Sequence, residues 1–149
     1  MSLRYFALVM GIIFLLVGVM GFVPAFVTAP PDMHGVTVHA NHGYLLGLFP
    51  VNLLHNLVHI AFGLGGIAAY GIGFDASRIY ARTVAILYAL MAIMGLIPAA
   101  KLDTAFGLIP IHGNDVWLHA LIAVAAAYFG WATVREPLTR TDTVTETTR

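Results

Sequence analysis

Long apolar segments alternate with shorter polar segments along the chain. Four of the apolar segments reach the length of about 20 residues that a helix needs to cross a bilayer. None of them alternates apolar and polar residues as the strands of a membrane β-barrel do, and a helix is the other structure that satisfies its backbone hydrogen bonds in lipid. The pattern therefore predicts an all-α bundle of four transmembrane helices, at about residues 5–27, 52–74, 79–100 and 116–134.

Composition agrees with a membrane protein and excludes a soluble enzyme. Of 149 residues, 60% are hydrophobic and 9% are charged, against about 25% charged residues in soluble domains; the mean hydropathy is +0.88. The absence of Cys removes disulfides, thiolate nucleophiles and iron–sulfur clusters. Seven basic and seven acidic residues cancel, so nucleic acid is not expected as a partner. The expected surroundings are the lipid bilayer.

The positive charges lie mainly on one side of the predicted bundle. Six of the seven basic residues precede span one, lie near the start of span three or follow span four: Arg4, Arg78, Arg82, Arg135, Arg140 and Arg149. Since positive loops stay in the cytoplasm, both termini are predicted to be cytoplasmic. Residues 1–134 then form one transmembrane domain, and the Thr-rich, charged residues 135–149 form a disordered cytoplasmic tail.

The first apolar segment has an alternative interpretation as a cleaved signal peptide. Arg4 precedes it, and Val27-Thr28-Ala29 is a candidate cleavage site. The apolar run is longer than the usual core of a signal peptide, however, and Pro30 would follow the cut directly. We therefore expect the segment to remain as the first span.

The two halves of the chain carry similar segments in the same order. VMGFVPA at 19–25 resembles IMGLIPA at 93–99, and GLFPV at 47–51 resembles GLIPI at 107–111. These matches predict two helix hairpins that insert in the same direction and are related by a pseudo-twofold axis along the membrane normal. Chance similarity between apolar helices is the alternative. The first half has 14 more residues between its two matched segments than the second half.

Histidine and aspartate residues stand at matched positions near the start of spans two and four. His55 and His59 lie four residues apart, as do Asp115 and His119, so each pair shares one helix face. In the repeat, His59 corresponds to His119 and His55 to Asp115. Ionisable residues within a span are costly and usually face the bundle interior, which makes these four residues the main candidates for a functional site.

The same four residues suggest a bound metal ion or a haem. Three His and one Asp are ligands of the kind that hold Zn, Cu or Fe, and two His on facing helices are also the axial ligands of a b-type haem. His59 and His119 are the predicted principal ligands for either cofactor, and His55 and Asp115 are either additional ligands or residues that support the ligands. A purely structural role is the alternative. In that case the helix dipole stabilises the Asp115 carboxylate in the first turn, and Asn52 and Asn114 cap their helices. The His residues then form hydrogen bonds with neighbouring groups.

The loop between spans one and two carries a second candidate cluster. His34, His39 and His42 follow the pattern H-x4-H-x2-H beside Asp32. This spacing is consistent with a second metal site, and the alternative is a hydrated loop with ordinary His residues.

Small residues on span two predict close helix packing. Ala61, Gly65, Ala69 and Gly73 recur every four residues, a pattern that lets membrane helices approach each other. Gly63 and Gly66 continue the face of His55 and His59, where they either make room for a planar cofactor or allow close packing.

Three short segments resemble a family of small bacterial four-helix integral membrane proteins of unknown function. They are Asn56-Leu57-Val58-His59, Asn114-Asp115-Val116-Trp117-Leu118-His119 and Ile79-Tyr80-Ala81-Arg82. The resemblance covers about Arg4 to Val134. It implies the four-helix fold and a location in the bacterial plasma membrane, and it implies no activity.

The sequence thus favours a cofactor-binding membrane protein over an enzyme. No zinc-protease, catalytic-triad or phosphate-loop motif is present in the sequence. The second hypothesis is a cofactor-free accessory or scaffold subunit that contacts other membrane subunits, or itself, through its small-residue faces. A transporter ranks third, because four helices enclose little space and no span is broken at its midpoint.

Overall fold

The computed structural model describes residues 2–30 and 32–132, so the predicted tail at 135–149 and the end of span four lie outside the described residues. Four long helices are present: α1 (Leu3–Met20), α2 (Leu53–Ile72), α3 (Phe74–Gly95) and α4 (Asn114–Ala127), with a π-helical continuation of α4 at Tyr128–Ala132. All four are long and apolar enough to cross a membrane. The prediction of four apolar helices in a membrane protein is thereby confirmed.

The largest differences from the predicted bounds lie at the end of α1 and at both ends of α3, which ends at Gly95 rather than at 100. The helix α1 ends at Met20, because Pro24–Phe26 form a 3-10 turn that leads into a strand, although the apolar run continues to Val27. The helix α3 begins at Phe74, earlier than the predicted 79, because Gly73 alone separates it from α2. Gly73 has φ 135°, a backbone conformation that glycine adopts without a steric penalty.

A small antiparallel sheet covers one end of the bundle. Its strands are β1 (Val27–Thr28), β2 (Gly43–Leu45) and β3 (Phe49–Val51), in the order β1-β2-β3. The register pairs Val27 with Leu45 and Gly43 with Val51. The strands join the end of α1 to the start of α2, and we call this end of the bundle, where α1 and α3 end and α2 and α4 begin, the sheet end.

Glycines bring α1 and α2 into direct contact. The most extensive helix contacts are those of α1 with α2 and of α3 with α4. A Cβ atom on Gly63 would lie 2.6 Å from the Leu15 nitrogen, and one on Gly66 would lie 2.7 Å from the Ala7 carbonyl oxygen. The space beside Gly63 and Gly66 is therefore filled by the α1 backbone, so these glycines serve close packing and leave no room there for a planar cofactor.

The predicted small-residue stripe of α2 is not the face that meets α1. Ala61 and Gly65 are exposed, and Ala69 is buried. The stripe is therefore partly at the surface and partly in the core. The contact with α1 is made by the neighbouring face of α2, which carries Gly63 and Gly66.

Candidate metal centre

Three side chains from α2 and α4 meet at the sheet end, and we call them the candidate metal centre: His55, Asp115 and His119. One ligand atom of each lies within 4.8 Å of the other two. All three residues are buried, with His55 4%, Asp115 2% and His119 2% exposed. Burial of polar groups is unfavourable unless something satisfies them, so this convergence requires an explanation.

Asn52 positions His55 at the start of α2. Its side-chain oxygen accepts a hydrogen bond from the His55 backbone nitrogen at 2.9 Å, which is an N-cap. Its amide nitrogen donates to the carbonyls of Val38, at 3.2 Å, and Leu108, at 2.7 Å. The fully buried Asn52 thus joins the first turn of α2 to both loops at the sheet end.

Asp115 and His119 are positioned by the first turns of α4. Gly113, with φ 66°, stands at the N-cap of this helix, whose first turn includes Asp115. The Asn114 amide donates to the Leu48 carbonyl at 3.2 Å and so joins α4 to the loop that precedes α2. Of the two predicted asparagine caps, Asn52 acts as a cap, whereas Asn114 bonds across the loops.

One polar atom of each residue in the candidate metal centre lacks a hydrogen-bond partner in the described chain. The Asp115 Oδ2 lies 3.9 Å from the His55 Nδ1, which is beyond hydrogen-bond distance. Within the described part of the chain, these two atoms and the His119 Nδ1 are buried and make no hydrogen bond. Because metal–ligand bonds of about 2.0–2.2 Å place two ligands of one ion about 3–4 Å apart, this separation fits a shared ion.

His59 lies beside the candidate metal centre rather than within it. Its Nδ1 donates to the His55 carbonyl at 3.1 Å, and its ring stacks on the His55 ring at 4.6 Å between centroids. The Phe14 ring contacts its edge at 5.5 Å. His55 therefore occupies the place in the cluster that the sequence analysis gave first to His59, and His59 lies directly against it.

Aromatic rings form the floor of the site. Tyr88 of α3 lies perpendicular to the His119 ring, with centroids 5.0 Å apart, and it stacks on Phe14 at 5.2 Å. Tyr88 and Phe14 are both almost fully buried. The imidazole of His119 is thus held from below by a packed apolar layer, which limits the orientations that its ring can adopt.

A cavity of about 170 Å³ adjoins the candidate metal centre. Its polar lining residues are His55, His59, Asp115 and His119. Its other walls are apolar and come from α1, α4 and the strand region: Val17, Met20, Leu45, Leu46, Phe49, Val51, Leu118 and Ile122. The site therefore has an open side, facing a space that holds no polar group of the described chain beyond these four residues.

The loop histidines His34, His39 and His42 do not come together as a cluster of this kind within residues 2–30 and 32–132. The Nε2 of His39 bonds to the Val36 carbonyl at 3.2 Å, and the Nδ1 of His42 bonds to the Val51 carbonyl at 3.1 Å. Each of these rings therefore has a local backbone partner.

His34 instead meets two residues that the sequence analysis did not single out. Its Nε2 lies 3.1 Å from the Asp103 Oδ2, and its ring lies 4.0 Å from that of His112. Burial, followed by the neighbouring His34, lowers the pKa of His112. The similar segments of the two halves carried a usable signal, because His112 follows GLIPI as Asn52 follows GLFPV, next to the start of a helix.

A family model described as "Domain of unknown function (DUF4383)" matches residues 4–132. The match covers nearly all of the described chain, and the protein belongs to this family. The resemblance to a family of unknown function is confirmed over the region predicted for it. Neither a curated protein nor a solved structure matches the chain.

Proposed function

We propose that this family member is a multi-pass membrane protein that binds one transition-metal ion at His55, Asp115 and His119. The observation that carries the proposal is the convergence of three buried side chains, with one ligand atom of each within 4.8 Å of the others. Each residue also has one buried polar atom without a hydrogen-bond partner among the described residues. Two His and one carboxylate are the protein ligands of many zinc sites with an open fourth position and of non-haem iron sites. An ion would satisfy all three groups at once.

His59 supports this centre from the side. A hydrogen bond from its Nδ1 to the His55 carbonyl leaves the Nε2 without a proton and therefore able to accept. Ligand-supporting hydrogen bonds of this kind orient metal sites. We assign His59 to the support of His55 and to the wall of the cavity, with a role as fourth ligand as the alternative.

The dimensions of the site favour an ion over a haem. A cavity of about 170 Å³ is close to the roughly 150 Å³ of a cavity that holds one benzene ring, and a porphyrin is several times larger than benzene. The glycine face below His59 is filled by α1. A b-type haem held by His59 and His119 would require the helices and the sheet to move apart.

Metal analysis together with a visible spectrum tests the proposal. The protein is expressed with haem precursors and with Zn, Cu and Fe available, purified in detergent, and measured by mass spectrometry for metals. We expect about one ion per chain, lost in Asp115→Asn and His119→Ala and retained in the control His39→Ala. A Soret band that disappears in His59→Ala and His119→Ala would establish haem instead. Protein with neither metal nor haem would overturn cofactor binding.

We also propose that the two hairpins descend from one duplicated unit. Gly21 at the end of α1 faces the Asn56 side chain, and Gly95 at the end of α3 faces Ile111 and Val116. Gly21 corresponds to Gly95 in the repeat, and Asn56 corresponds to Val116. Equivalent close approaches at equivalent positions support the duplication. Gly21→Ala and Gly95→Ala should then lower thermal stability to a similar extent, and a clearly unequal loss would count against the equivalence.

The backbone conformations of the two loops also support the duplication. Leu46 and Gly47 have φ 53° and 72°, and the corresponding Phe106 and Gly107 have φ 62° and 88°, so both loops turn in the same left-handed way.

Arg4 donates to the Tyr70 carbonyl at 2.9 Å, at the end of the bundle opposite the sheet end. We propose that this arginine-bearing end is cytoplasmic, in a bacterial plasma membrane, and that the sheet end is external.

An accessory or scaffold role is the second candidate. Ala61 and Gly65 are exposed and line a shallow groove with Phe62 and Tyr80. Small residues on a lipid-facing helix surface favour association with another membrane helix. Loss of a defined oligomer or complex in Gly65→Leu, measured by native mass spectrometry with unchanged metal content, would support this role. A complex that survives Gly65→Leu would count against this surface.

A further inference from the structure

The cavity beside the candidate metal centre lies between α1 and α4. Val17 and Met20 of α1 form one wall, and Leu118 and Ile122 of α4 form the other. The pair α1 and α4 is not one of the helix pairs that pack extensively in the described chain. Leu118 is 37% exposed. The cavity therefore opens sideways, between two helices that cross the membrane.

Apolar residues of the sheet end line the top of the cavity. Leu45 and Val51 are almost completely buried, whereas Leu46 is 56% exposed, and all three line the cavity. His119 lies five residues into α4, which is about 8 Å along the helix at 1.5 Å per residue. The lateral opening is thus at a depth where apolar side chains border lipid.

We propose that this cavity binds the head group of a neutral, hydroxyl-bearing, lipid-soluble molecule, specifically an isoprenoid quinol, which enters from the bilayer between α1 and α4. The inference deepens the proposed function, because it uses the same residues and gives the open side of the candidate metal centre a ligand. It does not require the metal, since the hydrogen-bonding atoms belong to the protein.

The polar end of the cavity is suited to a hydroxyl group. The Asp115 Oδ2 accepts a hydrogen bond from the hydroxyl, and a ring nitrogen of His119 donates to it when that nitrogen carries the proton. Both the Asp115 Oδ2 and the His119 Nδ1 are buried and without partners in the described chain. With an ion bound at these atoms, the hydroxyl oxygen would face the remaining coordination position of the ion.

Charge and size select the head group. A fatty-acid carboxylate or a phosphate would lose its hydration in this largely apolar cavity, which has no Lys or Arg among its described lining residues to pair with an anion. A neutral head group avoids this cost. The volume of about 170 Å³ accommodates the six-membered ring of a quinol, and the ring substituents and the isoprenoid tail would extend towards the lipid through the lateral opening.

Binding of decylubiquinol to the full chain in nanodiscs tests the inference. Labelled decylubiquinol, kept reduced, is titrated into protein-containing and empty nanodiscs, before and after treatment with a chelator. We expect saturable binding of one molecule per chain. Leu118→Trp, which fills the mouth of the cavity, should weaken binding at least tenfold. Asp115→Asn should weaken binding to the chelated protein about tenfold, because an amide NH2 that cannot accept a hydrogen bond replaces one carboxyl oxygen.

Two further variants keep the result interpretable. Leu121→Trp is the matched control, because Leu121 lies on the same helix, is 67% exposed and does not line the cavity; its binding should equal that of the unmodified protein. Val17→Phe narrows the cavity from α1 and should also weaken binding. This variant serves as the test if Leu118→Trp fails to fold.

The outcomes separate this inference from metal binding. Quinol binding in protein that never holds metal would retain the inference and overturn the metal proposal alone. One ion per chain, with quinol uptake that is not saturable or is unaffected by Leu118→Trp and Val17→Phe, would overturn the inference alone. Saturable oleate binding at the same site, with no displacement by decylubiquinol, would also overturn it.

Discussion

The Nδ1 of His55 faces the Oδ2 of Asp115 at 3.9 Å, across two helices that begin at the same end of the bundle. The two residues occupy matched positions in the two halves of the sequence. They are too far apart for a hydrogen bond and are suitably placed for a common ion. Of the pairs His55/His59 and Asp115/His119, the first residues thus approach each other across α2 and α4, and His59 lies beside them.

His59 provides the sharpest distinction between an ion and a haem. In His59→Phe, we expect the ring to keep its packing against Phe14 and His55, so that a metal ion bound to the candidate metal centre is retained with affinity reduced by about tenfold, as for a supporting residue. Competition with a coloured chelator measures the affinity. Complete loss of the cofactor in this variant, as in His119→Ala, would make His59 a principal ligand.

Removal of the Asn52 side chain should destabilise the sheet end. Asn52→Ala deletes three hydrogen bonds of a fully buried side chain. We therefore expect a loss of roughly 2–4 kcal/mol of stability at about 1 kcal/mol each and weaker metal binding, because the His55 backbone loses its hydrogen bond to Asn52. Asn114→Ala, which deletes one exposed hydrogen bond, should cost less than about 1 kcal/mol. Thermal unfolding in detergent compares the two variants, and equal losses would contradict the role of Asn52.

Two glycines of α2 should respond oppositely to the same substitution. A Cβ atom on Gly66 would collide with the α1 backbone at 2.7 Å, whereas one on Gly71 would meet nothing within 4 Å. We expect Gly66→Ala to lower stability by about 1–3 kcal/mol, and Gly71→Ala to leave it unchanged or raise it by up to about 1 kcal/mol through helix propensity. Unfolding in denaturing detergent measures both. A tolerated Gly66→Ala would contradict the close α1–α2 approach.

His112 should make the fold sensitive to acid. Burial and the neighbouring His34 lower its pKa in the folded protein, so the unfolded chain takes up the proton first as pH falls below about 6.5. The unfolded state then binds more protons, and stability decreases as pH falls. His112→Asn should reduce this decrease between pH 7 and pH 5, as measured by thermal unfolding. An unchanged pH dependence would show that His112 contributes nothing to it.

The absence of native Cys permits a direct test of orientation. Single-cysteine variants Met33→Cys and Ser2→Cys place a thiol on each side of the predicted membrane, at exposed positions. An impermeant maleimide should label Met33→Cys in intact spheroplasts and label Ser2→Cys only after lysis. The reverse pattern would place the sheet end in the cytoplasm.

The sequence was most informative where the signal is local. Apolar length predicted all four helices, and four-residue spacing placed His55 with His59 and Asp115 with His119 on shared faces. It could not say which member of each pair approaches the other helix, because that depends on the rotation of α2 relative to α4. The proximity of His34 to Asp103 and His112 joins two loops about 70 residues apart, and no local pattern reports such a contact.

Helix packing shows the same limit. Both Ala61/Gly65 and Gly63/Gly66 are small-residue pairs on α2, and composition alone does not distinguish between them. The approach of α1 at Gly11 selects the second pair, which could be recognised only by considering the glycines of both helices together.

The interlocked glycines of α1 and α2 have a mechanical consequence. The helices α1 and α2 pack most extensively with each other, as do α3 and α4. The ligands of the candidate metal centre come from both helix pairs: His55 from the first, Asp115 and His119 from the second. An ion held there would link the two helix pairs through its ligands. The binding energy of the ion would then oppose separation of α1 and α2 from α3 and α4. Occupancy of the site would therefore control how readily the two helix pairs move apart within the lipid.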